Sequence, residues 1–583
     1  MTARQQAARH RRRRLGLVVG APLALIAAGV LAYGTEFGPF GEGSRSQADA
    51  APAVSDDAMT AVAAMQPGWN LGNSLDAGTD ETSWGQPRTT KAMLDKLRSQ
   101  GFRSIRIPVT WSDHQQSAPG YAIDKAYLSR VKQVVDWALD DGLYVMLNIH
   151  HDSWQWAGKM PTDHDAVLAR YEATWTQIAG TFRNEPGRLT FESINEPTFD
   201  GSDNSLKAKL LNELNTSFHD VVRKSGGNNA KRLLVLPTMV DTPDQALMDN
   251  LATTIKSLHD PRLVASVHYY GYWPFSTNLA GSTRFDAAAQ SDMAKVFKRA
   301  HDTFVAKGVP VVIGEYGVLG YDFGPDGVER GEMLKYFEAF GNAARTNGVT
   351  DLLWDNGAFF DRSKLRWKDA GLFRQMRSSW TTRSGTASSD LVFVPRSGHI
   401  PDRTLTLNPN RTTFKGLKAG SVTLAKGRDY TLSGNRLTLK AATLTRLAGD
   451  RAYGVRATLQ AEFSKGVPWQ IKVISNSTPV LSNATGTTGS VRIPTQFRGD
   501  LLATMESKYA EGGNAGPLDW TPYQQFTKAF SPGYTGNGIT LTRDFLDSLR
   551  DGARVNLTFH FWSGAKVTYY VTKSGGTVVG STS

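Results

Sequence analysis

Two glutamates in this sequence stand in short motifs that each follow an apolar, strand-like run. Glu196 lies in an Asn-Glu-Pro motif after the run 189–194, and Glu315 lies in Gly-Glu-Tyr-Gly after the run 310–314. A carboxylate beside an apolar strand is costly unless it is paired or used in chemistry. Two carboxylates that face each other supply what glycoside hydrolysis needs, a proton donor together with a nucleophile or a general base.

Polar and aromatic side chains also stand at or just after other apolar runs of the same region. The polar ones are, in chain order, Arg106, Asn148, His150, His151, Asp152, Asn195, His268, Tyr269, Tyr270, Tyr316, Asp355 and Asn356. The tryptophans are Trp84, Trp111, Trp154, Trp156, Trp273 and Trp354. We expect about half of these rings to pack in the core. Polar side chains at six strand ends nevertheless favour one shared site over six separate structural roles.

These residues need a scaffold that brings their strand ends together. Eight apolar runs alternate with helical patterns over residues 51–380, at 68–73, 104–109, 143–149, 189–194, 232–236, 263–269, 310–314 and 351–354. The clearest helical pattern covers 125–141, where apolar residues recur at helical spacing until Gly142. The alternation predicts an α/β fold, a (β/α)8 TIM barrel, whose chemistry lies at the C-terminal strand ends. A doubly wound sheet is the alternative, although no Gly-rich phosphate loop follows the first run.

Composition and charge exclude several classes of protein. The chain of 583 residues has no cysteine, which rules out disulfides, thiolate metal sites and a cysteine nucleophile. Its net charge of +12 is unevenly spread, because residues 51–380 hold 35 Lys and Arg against 39 Asp and Glu, whereas residues 381–583 hold 24 against 12. The central region is therefore slightly acidic, and its sequence shows no basic stripe with interleaved aromatics, so we expect no nucleic-acid partner.

Residues 1–50 have the pattern of an export signal. A cluster of arginines precedes an uncharged apolar run at 15–33, and a small-x-small site follows at 48–50. We therefore expect a secreted, extracellular protein. The apolar run has 19 residues and is long enough to span a bilayer, so an uncleaved N-terminal anchor is the alternative.

The C-terminal third changes character after a Ser/Thr-rich linker at 378–390. Strand-like alternation dominates there, and residues 434–439 recur as 536–541 at an offset of 102. The repeat predicts two all-β sandwich modules, at 390–476 and 490–578. The first resembles immunoglobulin-like carbohydrate-binding modules of the X type, and the second is a divergent copy with an aromatic-rich insertion at 496–534.

Five segments within residues 60–380 together resemble glycoside hydrolase family 5 cellulases. They are GWNLGN at 68–73, SIRIPVTW at 104–111, NEP at 195–197, HYY at 268–270 and IGEYG at 313–317. The resemblance implies an endo-acting enzyme that cleaves β-1,4-glucan by a retaining double displacement, with no metal and no other cofactor. We expect a monomer with a β-glucan polysaccharide as its substrate.

The resemblance also implies a role for each matching residue. Glu196 would be the general acid/base and Glu315 the nucleophile. Arg106 and Tyr270 would hold Glu315, and Asn195 would bind the 2-hydroxyl of the sugar at the cleaved bond. His150 and His268 would line the subsite and its proton network, and Trp354 would stack under a sugar.

Several other interpretations stay open. Mannanase, xylanase or licheninase activity fits the same fold, because loops decide the substrate. A zinc hydrolase could use His150, His151, Asp152 and His268, although adjacent histidines on a strand point to opposite faces. No Gly-x-Ser-x-Gly elbow supports a serine nucleophile. A non-catalytic polysaccharide-binding protein would not need both glutamates.

The aromatic residues of the C-terminal third allow two interpretations. They are Trp469, Trp520, Tyr523, Phe526, Tyr534 and Trp562. They could form a platform for cellulose or cell wall, or pack in the cores of the two modules.

Overall fold

The structure is a computed structural model that describes residues 55–324 and 326–583. The predicted leader, residues 1–50, lies outside the described residues. Across the part of the chain that is described, no helix is both long and apolar enough to cross a membrane.

Eight parallel strands close into a barrel in chain order, which confirms the predicted TIM barrel. The strands are β1 (Gly68–Asn70), β2 (Ser104–Ile107), β3 (Tyr144–Asn148), β4 (Leu189–Glu192), β5 (Leu234–Pro237), β6 (Leu263–Tyr269), β7 (Val311–Tyr316) and β8 (Thr350–Leu353). Gly68 of β1 pairs with Ser104 of β2 on one side and with Leu352 of β8 on the other, which closes the ring.

Helices surround the barrel and connect its strands. They are α1 (Ala58–Ala63), α2 (Lys91–Ser99), α3 (Lys125–Asp140), α4 (Asp152–Gln155), α5 (His164–Thr181), α6 (Asn204–Lys224), α7 (Gln245–Ser257), α8 (Trp273–Ser276), α9 (Ala287–Thr303), α10 (Leu319–Phe323), α11 (Arg330–Asn347) and α12 (Ala370–Ser379). Helix α3 shows how sequence sets the bounds. The Asp124 carboxylate accepts the Tyr127 N–H at 2.8 Å to start it, and Gly142, at φ +74°, follows its end.

All residues of the eight barrel strands are buried. This is expected for parallel strands that are covered by helices outside and filled by side chains inside. Polar residues within these strands must therefore find partners inside the barrel. They gather toward the C-terminal strand ends and form the site described below.

The first C-terminal module is a two-sheet sandwich, as predicted. After a small hairpin of β9 (Phe360–Asp361) and β10 (Arg366–Trp367), its elements are β11 (Thr386–Ala387), β12 (Leu391–Pro395), β13 (Arg403–Asn408), β14 (Phe414–Ala419), β15 (Val422–Leu424), β16 (Tyr430–Ser433), β17 (Arg436–Leu439), α13 (Ala441–Ala448), β18 (Gly454–Phe463) and β19 (Trp469–Asn476). One sheet has the order β11–β13–β17–β16 and the other β12–β19–β18–β14–β15.

The second module is also all-β, but its strands form one continuous sheet of nine strands around a separate core. They are β20 (Val480–Leu481), β21 (Ala484–Thr487), β22 (Ser490–Gln496), β23 (Leu502–Tyr509), β24 (Phe530–Gly533), β25 (Gly538–Thr542), β26 (Arg554–Phe561), β27 (Lys566–Ser574) and β28 (Thr577–Ser581), with helix α14 (Arg543–Asp547). The strands begin before and end after the predicted bounds of 490–578. The prediction missed β20 and β21 because they are short and lie in a stretch of Ser, Thr, Asn and Gly that resembles a linker.

The predicted repeat corresponds to a repeated order of elements. In the first module a β-hairpin leads to α13 and then to the paired strands β18 and β19. In the second a hairpin leads to α14 and then to the paired strands β26 and β27.

The predicted linker at 378–390 joins the barrel to the first module, and it is packed against both. Arg383 and the Ser384 N–H donate hydrogen bonds to the Glu338 carboxylate of α11, and Asn410 of the first module donates to the same carboxylate at 3.0 Å. Three of the small polar side chains that suggested a linker, Ser379, Ser384 and Thr386, are buried here.

Candidate active site

Glu315, in β7, is held by two donors at the mouth of the barrel. An Arg106 N–H donates to its Oε1 at 2.7 Å, and the Tyr270 hydroxyl donates to its Oε2 at 2.5 Å. Burial alone would raise the pKa of Glu315, but the positive charges of His268 and Arg106, with the Tyr270 hydrogen bond, outweigh it and hold the pKa below its usual value. Glu315 is therefore set up as an anion.

Arg106 of β2 distributes its guanidinium among four side chains in the barrel interior. Besides Glu315, it donates to Glu192 at 2.8 Å, to Asn70 at 3.0 Å and to Asn195 at 2.7 Å. Its side chain is fully buried, and burial alone would lower its pKa, but the carboxylates of Glu192 and Glu315 raise the pKa above the usual value. The planar fork of an arginine allows this fixed, multidentate arrangement.

Glu196 follows β4 and is more accessible than Glu315. Its side chain is 26% exposed, whereas that of Glu315 is 6% exposed. Its backbone has φ +40°, in the left-handed region, and its N–H donates to Asp241 at 2.8 Å. Its Oε1 lies 3.1 Å from Nδ1 of His268.

The two glutamates face each other across the mouth. A carboxylate oxygen of Glu196, a carboxylate oxygen of Glu315 and a ring nitrogen of His268 all lie within 4.8 Å of one another. Retaining glycosidases have carboxyl groups about 5–5.5 Å apart, whereas inverting ones leave room for a water at larger separations. The spacing therefore matches a nucleophile and an acid/base.

His268 of β6 lies between the two glutamates. Burial would lower its pKa, but the negative charges of Asp241, Glu315 and Glu196 raise the pKa to about 9. The ring has room because the neighbouring residue in β7 is Gly314, where a Cβ would lie 3.0 Å from Nε2 of the ring. A protonated imidazole thus sits beside both carboxylates at neutral pH.

His150, just after β3, has the opposite charge preference. Burial lowers its pKa well below the usual value, and the charges of His151, Arg106 and His268 act in the same direction. Its ring is parallel to that of Trp354, with centroids 5.8 Å apart, and its Nε2 lies 4.0 Å from Oε1 of Glu315. His150 is therefore a neutral imidazole beside the nucleophile.

Trp354 follows β8 and is partly exposed at the mouth. Its ring needs the glycine at position 72, because a Cβ there would lie 2.8 Å from two of its ring atoms. Asn195 is positioned by Arg106, which occupies its carbonyl oxygen and leaves the amide NH2 as the group available to a ligand. The structure thus brings together all eight predicted site residues, Arg106, His150, Asn195, Glu196, His268, Tyr270, Glu315 and Trp354.

Other polar residues at the strand ends have structural partners. Asp152 accepts hydrogen bonds from the Trp111 N–H and the Trp156 indole, both at 2.8 Å, and from the Ser112 hydroxyl. The Asp355 carboxylate accepts from Trp69 and from three backbone N–H groups. Tyr269 donates to Asp292 at 2.9 Å, and the Tyr316 ring stacks on Phe340.

His150 and His151 do not point to opposite faces of a strand, so that prediction is wrong. Strand β3 ends at Asn148, so the alternation of a strand does not reach these residues. Their ring centroids are 4.6 Å apart, and ring nitrogens of both lie within 4.8 Å of a carboxylate oxygen of Asp76.

The tryptophans divide as expected between core and surface. Trp111 and Trp156 are buried, whereas Trp84, Trp154 and Trp273 are 47%, 40% and 38% exposed. The Trp154 ring stacks on His151, and Trp84 is tilted against the same histidine. These exposed rings extend the aromatic surface beyond Trp354.

Sequence reasoning missed three buried residues of the site. Glu192 accepts hydrogen bonds from Arg106 and Asn148, both at 2.8 Å, and Asn70 accepts from Arg106. Asp241 accepts from the Glu196 N–H. The sequence signal for Glu192 was an acidic residue inside a buried strand, which needs a partner. Asp241 lies in a loop and carried no such signal.

Comparison with family models assigns the parts of the chain. The model "Cellulase (glycosyl hydrolase family 5)" matches residues 71–360. A model described as carbohydrate binding domain X2 matches residues 386–473, and a carbohydrate binding domain of family 46 matches residues 477–581.

Known proteins resemble nearly the whole chain. Endoglucanase B of Paenibacillus lautus is 50% identical over 527 residues, which cover 90% of this chain and 93% of the relative. The solved structure of the full-length tri-modular endo-β-1,4-glucanase B of Bacillus halodurans has a TM-score of 0.88 at 45% identity, and the match covers 90% of this chain and 99% of that one. A tri-modular endo-β-1,4-glucanase of Bacillus licheniformis in complex with cellotetraose has a TM-score of 0.77 at 32% identity, over 88% and 99%.

Proposed function

The chain belongs to glycosyl hydrolase family 5, and we propose that it cleaves internal β-1,4-glucosidic bonds of cellulose or a related β-glucan with retention of configuration. One observation carries the proposal. The Glu196 and Glu315 carboxylates approach within 4.8 Å, while Arg106 and Tyr270 hold Glu315 in the ionised form.

The geometry supports a reaction in two displacements. In the first, a Glu315 carboxylate oxygen attacks the anomeric carbon, and the bond from that carbon to the leaving oxygen breaks as Glu196 donates its proton to that oxygen. In the second, Glu196 removes a proton from a water, the water oxygen bonds to the anomeric carbon, and the Glu315 ester bond breaks. Two inversions give net retention.

Neighbouring residues support these steps. The neutral His150 and the Asn195 NH2 group offer hydrogen bonds to the sugar at the cleaved bond, and Trp354 offers an apolar ring face. Arg106 and His268 offset the negative charge of the two glutamates, and they keep Glu315 a carboxylate when it leaves the sugar.

The choice of β-1,4-glucan as substrate rests on the relatives, whose names specify endoglucanase or endo-β-1,4-glucanase activity. A product profile on cellulose, mixed-linkage glucan, mannan and xylan tests it. We expect oligosaccharides of several lengths from the glucans early in the reaction. Faster hydrolysis of mannan or xylan than of any glucan would contradict the proposed substrate.

We also propose that the C-terminal modules bind polysaccharide. Both match carbohydrate-binding family models, and a crevice of about 230 Å³ separates the barrel loop around Arg284 from the second module. Tyr523, His560 and Trp562 line it on the module side, and the Arg284 guanidinium lies 4.8 Å from the Trp562 ring centre. Binding of the full chain to insoluble cellulose and to cell wall, at rising salt, separates ring stacking from charge attraction.

We further propose that the protein is secreted, on the basis of the export-type leader, and that it acts as a monomer. Mass spectrometry of the exported protein should find a mature N-terminus near residue 50, and sedimentation should give the mass of one chain. A mature N-terminus before residue 33 would favour the anchored form.

A further inference from the structure

A buried aspartate lies directly behind the residue proposed as the acid/base. Asp241 is fully buried, and its Oδ2 accepts the Glu196 N–H at 2.8 Å. The same oxygen lies 3.8 Å from Nε2 of His268, on the side of the ring opposite to Glu196. Asp241 thus contacts both the backbone of Glu196 and the histidine that touches its carboxylate.

The loop that carries Asp241 is fastened around Glu196. The Val240 N–H donates to the Pro197 carbonyl at 2.9 Å, and the Thr238 N–H donates to Ser266 of β6. Val240 and Asp241 have φ of +54° and +48°, and Glu196 has φ +40°. Such backbone is unfavourable for residues other than glycine, and persists where the surroundings fix it and often where a site needs it.

Asp241 and His268 face each other through buried polar atoms. Among the described residues, Nε2 of His268 and Oδ1 of Asp241 have no hydrogen-bond partner, although both atoms are buried. The other charged groups that face this pair are Glu192, Glu196, Glu315 and Arg106. The charge nearest to Nε2 is therefore a carboxylate that does not take part in bond making.

We propose that Asp241 is a positioning residue for the acid/base: it fixes the Glu196 peptide and orients His268, the ring that touches the Glu196 carboxylate, so that this carboxyl group is aimed at the leaving oxygen. Asp241 is also the carboxylate that contributes most to raising the pKa of His268. This inference rests on the proposed function and adds a residue to it.

The test compares Asp241→Asn with wild type on two aryl β-cellobiosides, one with a dinitrophenyl and one with a phenyl leaving group. The first leaves without a proton and the second needs one, and kcat/KM reports the bond-breaking step for both. We expect kcat/KM to fall about 10–100-fold for the phenyl substrate and less than about 3-fold for the dinitrophenyl substrate.

Asp351→Asn is the matched control. Asp351 is also a buried aspartate of the same barrel, with its pKa raised by burial to about 7, but it lies near the start of β8, away from the mouth, where Gln66 donates to it. It should keep the leaving-group dependence of the wild type, whatever its effect on the melting temperature.

The outcomes are distinguishable. If the wild type hydrolyses neither cellobioside, the proposed function fails. If the wild type is active and Asp241→Asn slows both substrates equally, or no more than Asp351→Asn does, the positioning role is overturned. Asp241→Ser serves if the Asn variant does not fold. Unfolding of both variants while Asp351→Asn folds would also overturn the role, because Asp241 would then be a structural group.

Discussion

The two walls of the barrel mouth hold the same residue type in different ways. On the nucleophile wall, Glu315 accepts hydrogen bonds from Arg106 and Tyr270 and is 6% exposed. On the acid wall, Glu196 has one close ionic neighbour, His268, and is 26% exposed. Both oxygens of the Glu315 carboxylate accept hydrogen bonds, which holds this group as an anion. The more accessible Glu196 carboxyl group can exchange a proton with a leaving group or a water. Environment rather than residue type thus separates two glutamates into different roles.

Removing the charge of Glu315 breaks the nucleophile wall and should have the largest effect. We expect Glu315→Gln to lower kcat/KM on carboxymethyl cellulose by about 10⁴-fold or more, because no covalent intermediate can form. Circular dichroism should show an intact fold. The control is Glu338→Gln, another buried glutamate paired with an arginine but outside the mouth. Activity within tenfold of wild type for Glu315→Gln would contradict the comparison.

Removing the carboxyl group of Glu196, on the acid wall, should affect activity in a way that depends on the leaving group. We expect Glu196→Gln to lose about 10²–10⁴-fold in kcat/KM for an unactivated substrate, and much less for a dinitrophenyl glycoside that leaves without a proton. Azide should restore turnover of the activated substrate, since it attacks the intermediate without a base. Glu185→Gln, a partly exposed ion-paired glutamate on the barrel surface, should behave as wild type. An equal loss on both substrates, with no azide rescue, would argue against an acid/base.

The Tyr270 hydroxyl sharpens the comparison through pH. It is one of the groups that lower the pKa of Glu315, so its removal in Tyr270→Phe should raise that pKa. The nucleophile would then be protonated sooner as the pH falls, and the acid limb of kcat/KM should move to higher pH, with about a 10–100-fold loss at the optimum. Tyr171→Phe removes a buried hydroxyl that bonds Ser193, and its profile should not move. If the acid limb of the Tyr270→Phe profile does not move, the Tyr270 hydroxyl does not lower the pKa of Glu315 and this prediction is contradicted.

The smallest effect is expected far from both walls. Trp562→Ala should weaken binding of the full chain to insoluble glucan by about tenfold at most, through the loss of ring contact. It should leave hydrolysis of an aryl cellobioside unchanged. Trp520→Ala, an exposed tryptophan that does not line the crevice, is the control. Equal losses in both variants would remove the special role of the crevice.

Much of the barrel and its site could be predicted because both can be recognised from short segments of the sequence. Each strand is a short apolar run, and each predicted site residue stands within or just after such a run, so a parallel barrel brings them to one mouth. The two glutamates could be paired without knowing any contact, since they fall on strands four and seven of a closed ring.

The remainder depends on contacts between residues that are distant in sequence. Asp241 lies in a loop whose left-handed backbone is set by Pro197 and Ser266 rather than by glycine. The strand-like interpretation of His150 and His151 failed because β3 ends two residues before His150. The packing of the linker could not be predicted from its own residues, because Glu338, which accepts hydrogen bonds from Arg383 and Ser384, lies 45 residues before Arg383.

Covalent trapping tests the central claim most directly. A 2-deoxy-2-fluoro-β-cellobioside with an activated leaving group slows both displacements, but the second more than the first, so a glycosyl-enzyme should accumulate. Mass spectrometry of the digested wild type should find one fluorocellobiosyl group, on the peptide that contains Glu315 and at that residue, and Glu315→Gln should not be labelled. A label on Glu196, or release of the α-anomer as first product with no label, would contradict the assignment of the two walls.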